Sequence, residues 1–258
     1  MAEENPIIRF EHVTYYSRDE KYGVYDFSLT ISPGSLVMVL GPEGSGKSLL
    51  LSLILAKALP KKGKLYFRGQ DISLFNERQL EIMRSQIGVV SHNYGLINNL
   101  SVLDNIALPL RYHARTAEHE LTEKIMRYLS KFAMEEKAQV RPQVLSESEK
   151  LRVAFLRALL LEPAIILMEE ALEGKCPLAT SKFMELALEE LNRHSITLLA
   201  TGYHPLPMLP ENTKFLLMYE GRPVFLGNKH EFFESPNPYV VQYLKNPLHG
   251  PMKSFFKT

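Results

Sequence analysis

LVMVLGPEGSGKSLLLSLI, residues 36–54, is the stretch whose reading decides the fold. Its first five residues, Leu36 to Leu40, are apolar without a break, as a strand covered on both faces should be. From Lys47 onward Leu50, Leu51, Ile54 and Leu55 fall on one face of a helix. Between the two stands Gly41-Pro42-Glu43-Gly44-Ser45-Gly46-Lys47-Ser48, which matches G-x-x-x-x-G-K-[ST] in the strand-to-helix context that this pattern requires. The glycines let backbone N–H groups turn inward around phosphates with no Cβ in the way. The helix start adds partial positive charge, Lys47 can reach terminal phosphates, and the Ser48 hydroxyl can ligate Mg²⁺. Glu43, inside the loop, is expected to face solvent. A glycine-rich turn without a ligand is the alternative, and the agreement of the motif with both flanks argues against it. The expected nucleotide-binding set is Gly41, Pro42, Glu43, Gly44, Ser45, Gly46, Lys47, Ser48 and, at the helix start, Leu49.

Outward from that stretch the front end reads as strands. Ile7 to Val13 alternates loosely, Phe27 to Ile31 follows, and Ser32-Pro33-Gly34 turns the chain into Leu36. Lys64 to Phe67 is a short strand, and Asn76 is expected to cap a helix running to about Ser85. Residues 101–160 read as mostly helical, with segments from Ser101, from Ala117 to Phe132 and after Ser146. Strand signals return at Ala164–Met168, Ile196–Ala200, Phe215–Tyr219 and Val224–Leu226. Strands and helices at both ends around a helical insert predict an α/β domain carrying a helical subdomain. Pro236, Pro238, Pro247 and Pro251 mark a tail expected to lie outside the core.

Composition narrows the classes. The 258 residues are 45% apolar and 23% charged, ordinary globular values that exclude a disordered chain. The 30 Lys and Arg against 29 Asp and Glu leave a net charge of +1, so no electrostatic argument favours a nucleic-acid partner. The single cysteine, Cys176, cannot form an internal disulfide and fits a reducing compartment. Only Lys175 beside it is basic, so it is read as unreactive. MAEENPIIRF at the start lacks the pattern of a secretion signal, and no apolar run approaches the ~18 residues that span a bilayer. A soluble cytoplasmic chain is the expectation.

Further residues resemble the ATP-binding-cassette (ABC) ATPases over about residues 7–230. Leu145-Ser146-Glu147-Ser148-Glu149, followed by Lys150-Leu151-Arg152-Val153-Ala154 and Arg157-Ala158, stands where the family has its signature helix, LSGGQ then RVALARAL. Ala164 to Met168 followed by Glu169-Glu170 resembles the Walker B strand and catalytic glutamate. Ile87-Gly88-Val89-Val90-Ser91-His92, then Leu100-Ser101-Val102 and Asn105-Ile106, has the frame of the Q-loop region. Thr201-Gly202-Tyr203 falls at the switch-histidine place. Glu170-Ala171-Leu172-Glu173-Gly174-Lys175-Cys176-Pro177 and the tail Asn237 to Leu244 with Gly250-Pro251 are similar to ATPases of bacterial phospholipid transporters, the Mla (maintenance of lipid asymmetry) or Mce-associated type.

The resemblance implies an α/β P-loop NTPase core of the ABC type, with an antiparallel β subdomain and a helical subdomain at about 90–160. It implies an ATPase domain over 1–235 and a C-terminal extension over 236–258. ATP and Mg²⁺ would be the cofactors, with Ser48, Glu169 and His92 at the metal. Glu170 would be the general base for water, with His92 and His204 as further catalytic candidates. Tyr15 and Tyr16 lie where the family stacks an aromatic on adenine, and Tyr16 is the one favoured; Ser146 would face a second subunit's nucleotide. The implied partners are a membrane permease docking near His92 to Leu100, a second ATPase subunit (same or different chain) and an accessory protein at the extension. The implied location is peripheral, on the cytoplasmic side of the bacterial inner membrane.

The departures from the family pattern bear on turnover. Glu147 and Ser148 occupy the two glycine places of the signature and Glu149 the glutamine place. A carboxylate ~4 Å from a phosphate oxygen repels it by about 4 kcal/mol per unit charge at an effective dielectric near 20, against about 1 kcal/mol for one hydrogen bond. A closed dimer is therefore expected to be weakened unless a cation or protonation compensates. Glu169 replaces the Walker B aspartate, His92 the Q-loop glutamine, Cys176 the D-loop aspartate and Gly202 the switch histidine, with His204 two places on. The expected function is an ATPase subunit of reduced activity energising phospholipid trafficking. The alternatives are a non-catalytic ATP-binding scaffold and an ATPase of another ABC system.

Overall fold

The computed structural model describes residues 5–17, 23–113, 117–245 and 249–253. The chain divides into two compact units, Met1–Phe75 with Leu199–Thr258, and Asn76–Leu198. The first unit opens with β1 (Ile8–Tyr16) and β2 (Gly23–Ile31), paired antiparallel. The register slips between Phe10 and Val13, a bulge that explains the loose alternation of this stretch. Phe10 meets Phe27 edge-on across the pair, ring centroids 5.1 Å apart. Then come β3 (Leu36–Leu40), buried at every position, and α1 (Lys47–Ile54). β4 (Lys62–Phe67) and β5 (Gln70–Asp71) complete an antiparallel sheet in the order β2-β1-β4-β5.

The second unit begins with α2 (Glu77–Ser85), capped as expected at Asn76, whose side chain and that of Gln79 each accept from the other's backbone N–H. After β6 (Ile87–Val90) follow α3 (Val102–His113), α4 (Glu118–Lys131) and α5 (Glu147–Leu159). β7 (Ile165–Glu169) pairs in parallel with β6. α6 (Pro177–Arg193) packs Phe183 edge-on to Phe155, centroids 5.2 Å apart, and Phe155 lies 5.8 Å from Phe132. Each such ring pair contributes roughly 0.5–1.5 kcal/mol beyond its buried area.

β8 (Thr197–Gly202) carries the chain back to the first unit. There β9 (Lys214–Tyr219) lies parallel to β3, and β10 (Arg222–Asn228) antiparallel to β9. α7 (Lys229–Phe233) stacks Phe232 on Phe215 at 5.1 Å, and α8 (Pro238–Lys245) follows. The segment after Ser235 differs from the detached tail its prolines suggest: Val240 is fully buried. Gln242 donates to the Met252 carbonyl at 2.9 Å and accepts from the Met252 N–H at 2.7 Å, folding residues 249–253 back onto α8. Pro247 lies outside the described residues.

Candidate functional site

The loop between β3 and α1 has the conformation its sequence predicts. A Cβ on Gly41 would sit 2.4 Å from the Met218 carbonyl oxygen and 2.6 Å from Ser45 Oγ, so only glycine fits. Gly46 enters α1 in the left-handed region, φ 99°, and no side chain caps the helix. Its first turn carries no acidic residue, which leaves the partial positive charge of the helix start for an anion. Ser45 Oγ is buried without a hydrogen-bond partner, an orphan of the kind a bound group resolves. Glu43 and Ser48 are exposed, Glu43 as expected.

Lys47 is 4% exposed and folds back on its own loop, donating to the carbonyls of Gly41 at 2.7 Å and Pro42 at 3.0 Å. Its ammonium also lies 4.2 Å from the centroid of the Tyr203 ring. Tyr203 follows Gly202, where β8 ends and the chain bends, and His204 beside it is exposed. Tyr243 of α8 joins this group: its hydroxyl accepts from the Gly41 N–H at 3.1 Å and donates to the Tyr203 carbonyl at 2.5 Å. Neither Tyr203 nor Tyr243 was singled out from the sequence as a site residue. Tyr203 had a signal, an aromatic just past the switch position; Tyr243, 202 residues from Gly41, had none. Tyr16, the favoured adenine platform, carries Lys61 Nζ over its ring at 3.4 Å.

The other candidates lie in the second unit. Glu169 ends β7 and Glu170 follows in the left-handed region, φ 48°, a conformation a glutamate adopts at a cost. His92 is exposed in the turn after β6. That turn is fixed from α5 by Arg157, whose guanidinium donates to the carbonyls of Tyr94 and Gly95, each at 2.7 Å. Burial holds the Arg157 guanidinium below its ordinary range.

Ser146 is the N-cap of α5 in a capping box with Glu149. The Glu149 carboxylate accepts from the Ser146 N–H at 2.8 Å and from its hydroxyl at 2.9 Å. Those backbone and hydroxyl hydrogen bonds, with Lys137 at 3.8 Å, hold the Glu149 carboxyl below the usual carboxylate range. Glu147 is lowered too, first by Lys150 at 2.8 Å. The cations beside these two carboxylates are Lys150 and Lys137. Glu147 is 64% exposed, so its ion pair is weak and screened, and the charge on this face remains.

The three magnesium candidates, Ser48 in the first unit and Glu169 and His92 in the second, differ in chemistry. Ser48 and Glu169 offer hard oxygen, which Mg²⁺ prefers, whereas the His92 imidazole is a poor ligand for it.

Comparison with known proteins agrees with this geometry. A family model described as ABC transporter matches residues 24–173. The intermembrane phospholipid transport ATP-binding protein MlaF of Haemophilus influenzae is 26% identical over 249 residues, covering 96% of this chain and 93% of that protein. The methionine import ATP-binding protein MetN 1 of Rhodopseudomonas palustris is 30% identical over 235 residues, covering 91% of this chain and 62% of that protein. Among solved structures, the dimeric ATP-binding cassette MJ0796, in a post-hydrolysis state bound to ADP and Pi, superposes with a TM-score of 0.75 at 27% identity, covering 86% of this chain and 98% of that one.

Proposed function

Because the chain belongs to the ABC transporter family and is an ATP-binding subunit of that kind, we propose that it binds Mg-ATP at residues 41–48 and energises phospholipid trafficking between membranes. The observation that carries the nucleotide part is the phosphate loop itself, with uncapped amides at α1 and a buried lysine in reach of them. The lipid part is supported by the match to MlaF, which covers nearly the whole of both chains, whereas this chain covers 62% of MetN 1.

The family resemblance assigns the roles. Lys47 binds the β- and γ-phosphates, Tyr16 stacks on adenine once Lys61 leaves its face, and Glu170 takes the proton from attacking water, with His204 and His92 as further catalytic candidates. Ser48 and Glu169 would hold Mg²⁺, with His92 the weaker candidate; the ion would neutralise charge on the phosphates. A second ATPase subunit would close over the nucleotide through Ser146, and MJ0796 is dimeric. A permease fits the apolar hollow of about 500 Å³ lined by Ile87, Leu108, Pro109, Tyr112 and Leu161, beside the turn that bears His92. Attachment to the inner membrane would be peripheral, through that permease; among the described residues no helix is long and apolar enough to cross a membrane.

A second reading, nucleotide binding without turnover, is favoured by Gly202 at the switch position and by the Ser146 hydroxyl, which donates its proton to the Glu149 carboxylate in a hydrogen bond. ATP turnover by the chain with its permease decides between them. Slow turnover abolished by Glu170→Gln, with binding retained, is expected. No turnover above the Glu170→Gln level, with Mg-ATP bound, selects the second reading. Phospholipid transfer rather than methionine uptake in the same vesicles tests the cargo.

A further inference from the structure

Besides its hydrogen bonds to the Gly41 and Pro42 carbonyls, the Lys47 ammonium rests beside two tyrosines from outside the phosphate-loop motif. The ring of Tyr203 lies 4.2 Å from Nζ, on a residue that follows Gly202. Tyr203 is held in place from α8, where the Tyr243 hydroxyl donates to its carbonyl at 2.5 Å. The same oxygen accepts from the Gly41 N–H at 3.1 Å, a buried amide that needs a partner. One phenol therefore ties the first residue of the phosphate loop to the residue that covers its lysine. A phenol suits this place because its single oxygen both donates and accepts.

We propose that Tyr203 and Tyr243 are positioning residues for nucleotide binding: Tyr243 pins Tyr203 over Lys47, and this cover competes with the β- and γ-phosphates for the ammonium. The inference rests on reading residues 41–48 as a triphosphate site. To engage terminal phosphates Lys47 must leave the aromatic face, and a ligand shifts that equilibrium only by the difference in its affinity for the two positions. The cover is consequently a tax on ATP affinity, set by α8 and the loop after β8. A cation–π contact makes that tax about twofold to thirtyfold, the upper part of the range belonging to a desolvated ammonium such as that of Lys47.

Two measurements on the full chain test it. In nucleotide-free protein, ring current from Tyr203 should shift the Lys47 ε-methylene proton resonances upfield. Tyr203→Leu should abolish the shift, and Tyr243→Phe should reduce it. By calorimetry both variants should bind Mg-ATP about twofold to thirtyfold more tightly, with AMP affinity unchanged, since AMP lacks the phosphates that Lys47 reaches. The double variant should gain no more than Tyr203→Leu alone, and Tyr203→Phe, which keeps the ring and the carbonyl, should restore wild-type affinity. Lys47 resonances indifferent to Tyr203→Leu overturn the proposal. So does a moved resonance with ATP affinity unchanged or weakened, or an AMP affinity that moves in step. If the wild-type chain takes up no Mg-ATP, the proposed nucleotide function is what fails, and this inference falls with it.

Discussion

Ser146 has one hydroxyl proton and gives it to the Glu149 carboxylate at 2.9 Å, so a phosphate oxygen arriving at that face meets lone pairs until the bond rotates. The family's glutamine at the same place could cap the helix equally well, since the capping box accepts Glu or Gln at its third position. The change to Glu149 therefore preserves the start of α5 and alters only the charge. Cys176 shows a similar influence of a helix start. The amides of Ala179 and Leu178 in the first turn of α6 hold its thiol below the ordinary value, and the side chain is exposed. Its sequence neighbours alone, with only Lys175 basic, argued for an unreactive thiol. Because the thiolate is the nucleophile, a lowered value means that alkylation reaches half its maximal rate at a lower pH than an ordinary thiol. As the chain has one cysteine, iodoacetamide consumption reads it directly. The midpoint in folded protein should lie below that of the same chain in urea; coincident profiles would contradict the helix-start assignment.

α3 is anchored by a buried asparagine. Asn105 is fully buried; it accepts from the Ile97 N–H at 2.7 Å and donates to the carbonyls of Ile97 at 3.0 Å and Ser101 at 2.9 Å. These bonds bracket the loop that precedes the helix. Asn105→Ala strands the Ile97 N–H, while the Ile97 and Ser101 carbonyls keep the N–H groups of Leu100 and Asn105; one such group left unsatisfied costs roughly 1–3 kcal/mol. Urea unfolding should therefore lose about 1–3 kcal/mol, with the lost interactions concentrated in residues 97–101. A loss within about 0.5 kcal/mol, the range of ordinary surface substitutions, would show the bracket to be dispensable.

Elements of this kind were legible in the sequence where local chemistry decides them. LVMVL became β3, Asn76 caps α2, and the helices after Ser101, Ala117 and Ser146 lie where their patterns put them. α6 is not among the helices the sequence predicts, although Phe183, Met184, Ala187 and Leu191 have helical spacing, because its N-cap is Cys176, which makes no side-chain capping bond and is not a residue that signals a helix start. Ile87 to Val90 was read as the frame of a loop region and is a strand, four residues long. Its partner β7 lies far along the chain, and a pairing of that range leaves no local trace. The same physics hid Tyr243, whose role depends on α8 returning to Gly41.

For the whole molecule, the central claim is that the loop after β3 is a triphosphate site and that Lys47 is its cation. The uncapped α1 amides, the glycine-only position at Gly41 and the orphaned Ser45 hydroxyl all support it. Each of the larger assignments — a second subunit closing over the nucleotide, a permease moved by that closure, lipid as cargo — presupposes it. Hydrogen bonds to a charged group contribute about 1.5–3 kcal/mol each, so loss of the lysine should weaken nucleotide binding about tenfold or more. The direct test is calorimetry of Mg-ATP binding to the wild-type chain and to Lys47→Ala, with far-UV dichroism verifying that the variant is folded. The account predicts saturable binding at one site per chain in the wild type and a loss of about tenfold or more in the folded variant. Absence of heat in the wild type, or equal affinity in the two proteins, would contradict it.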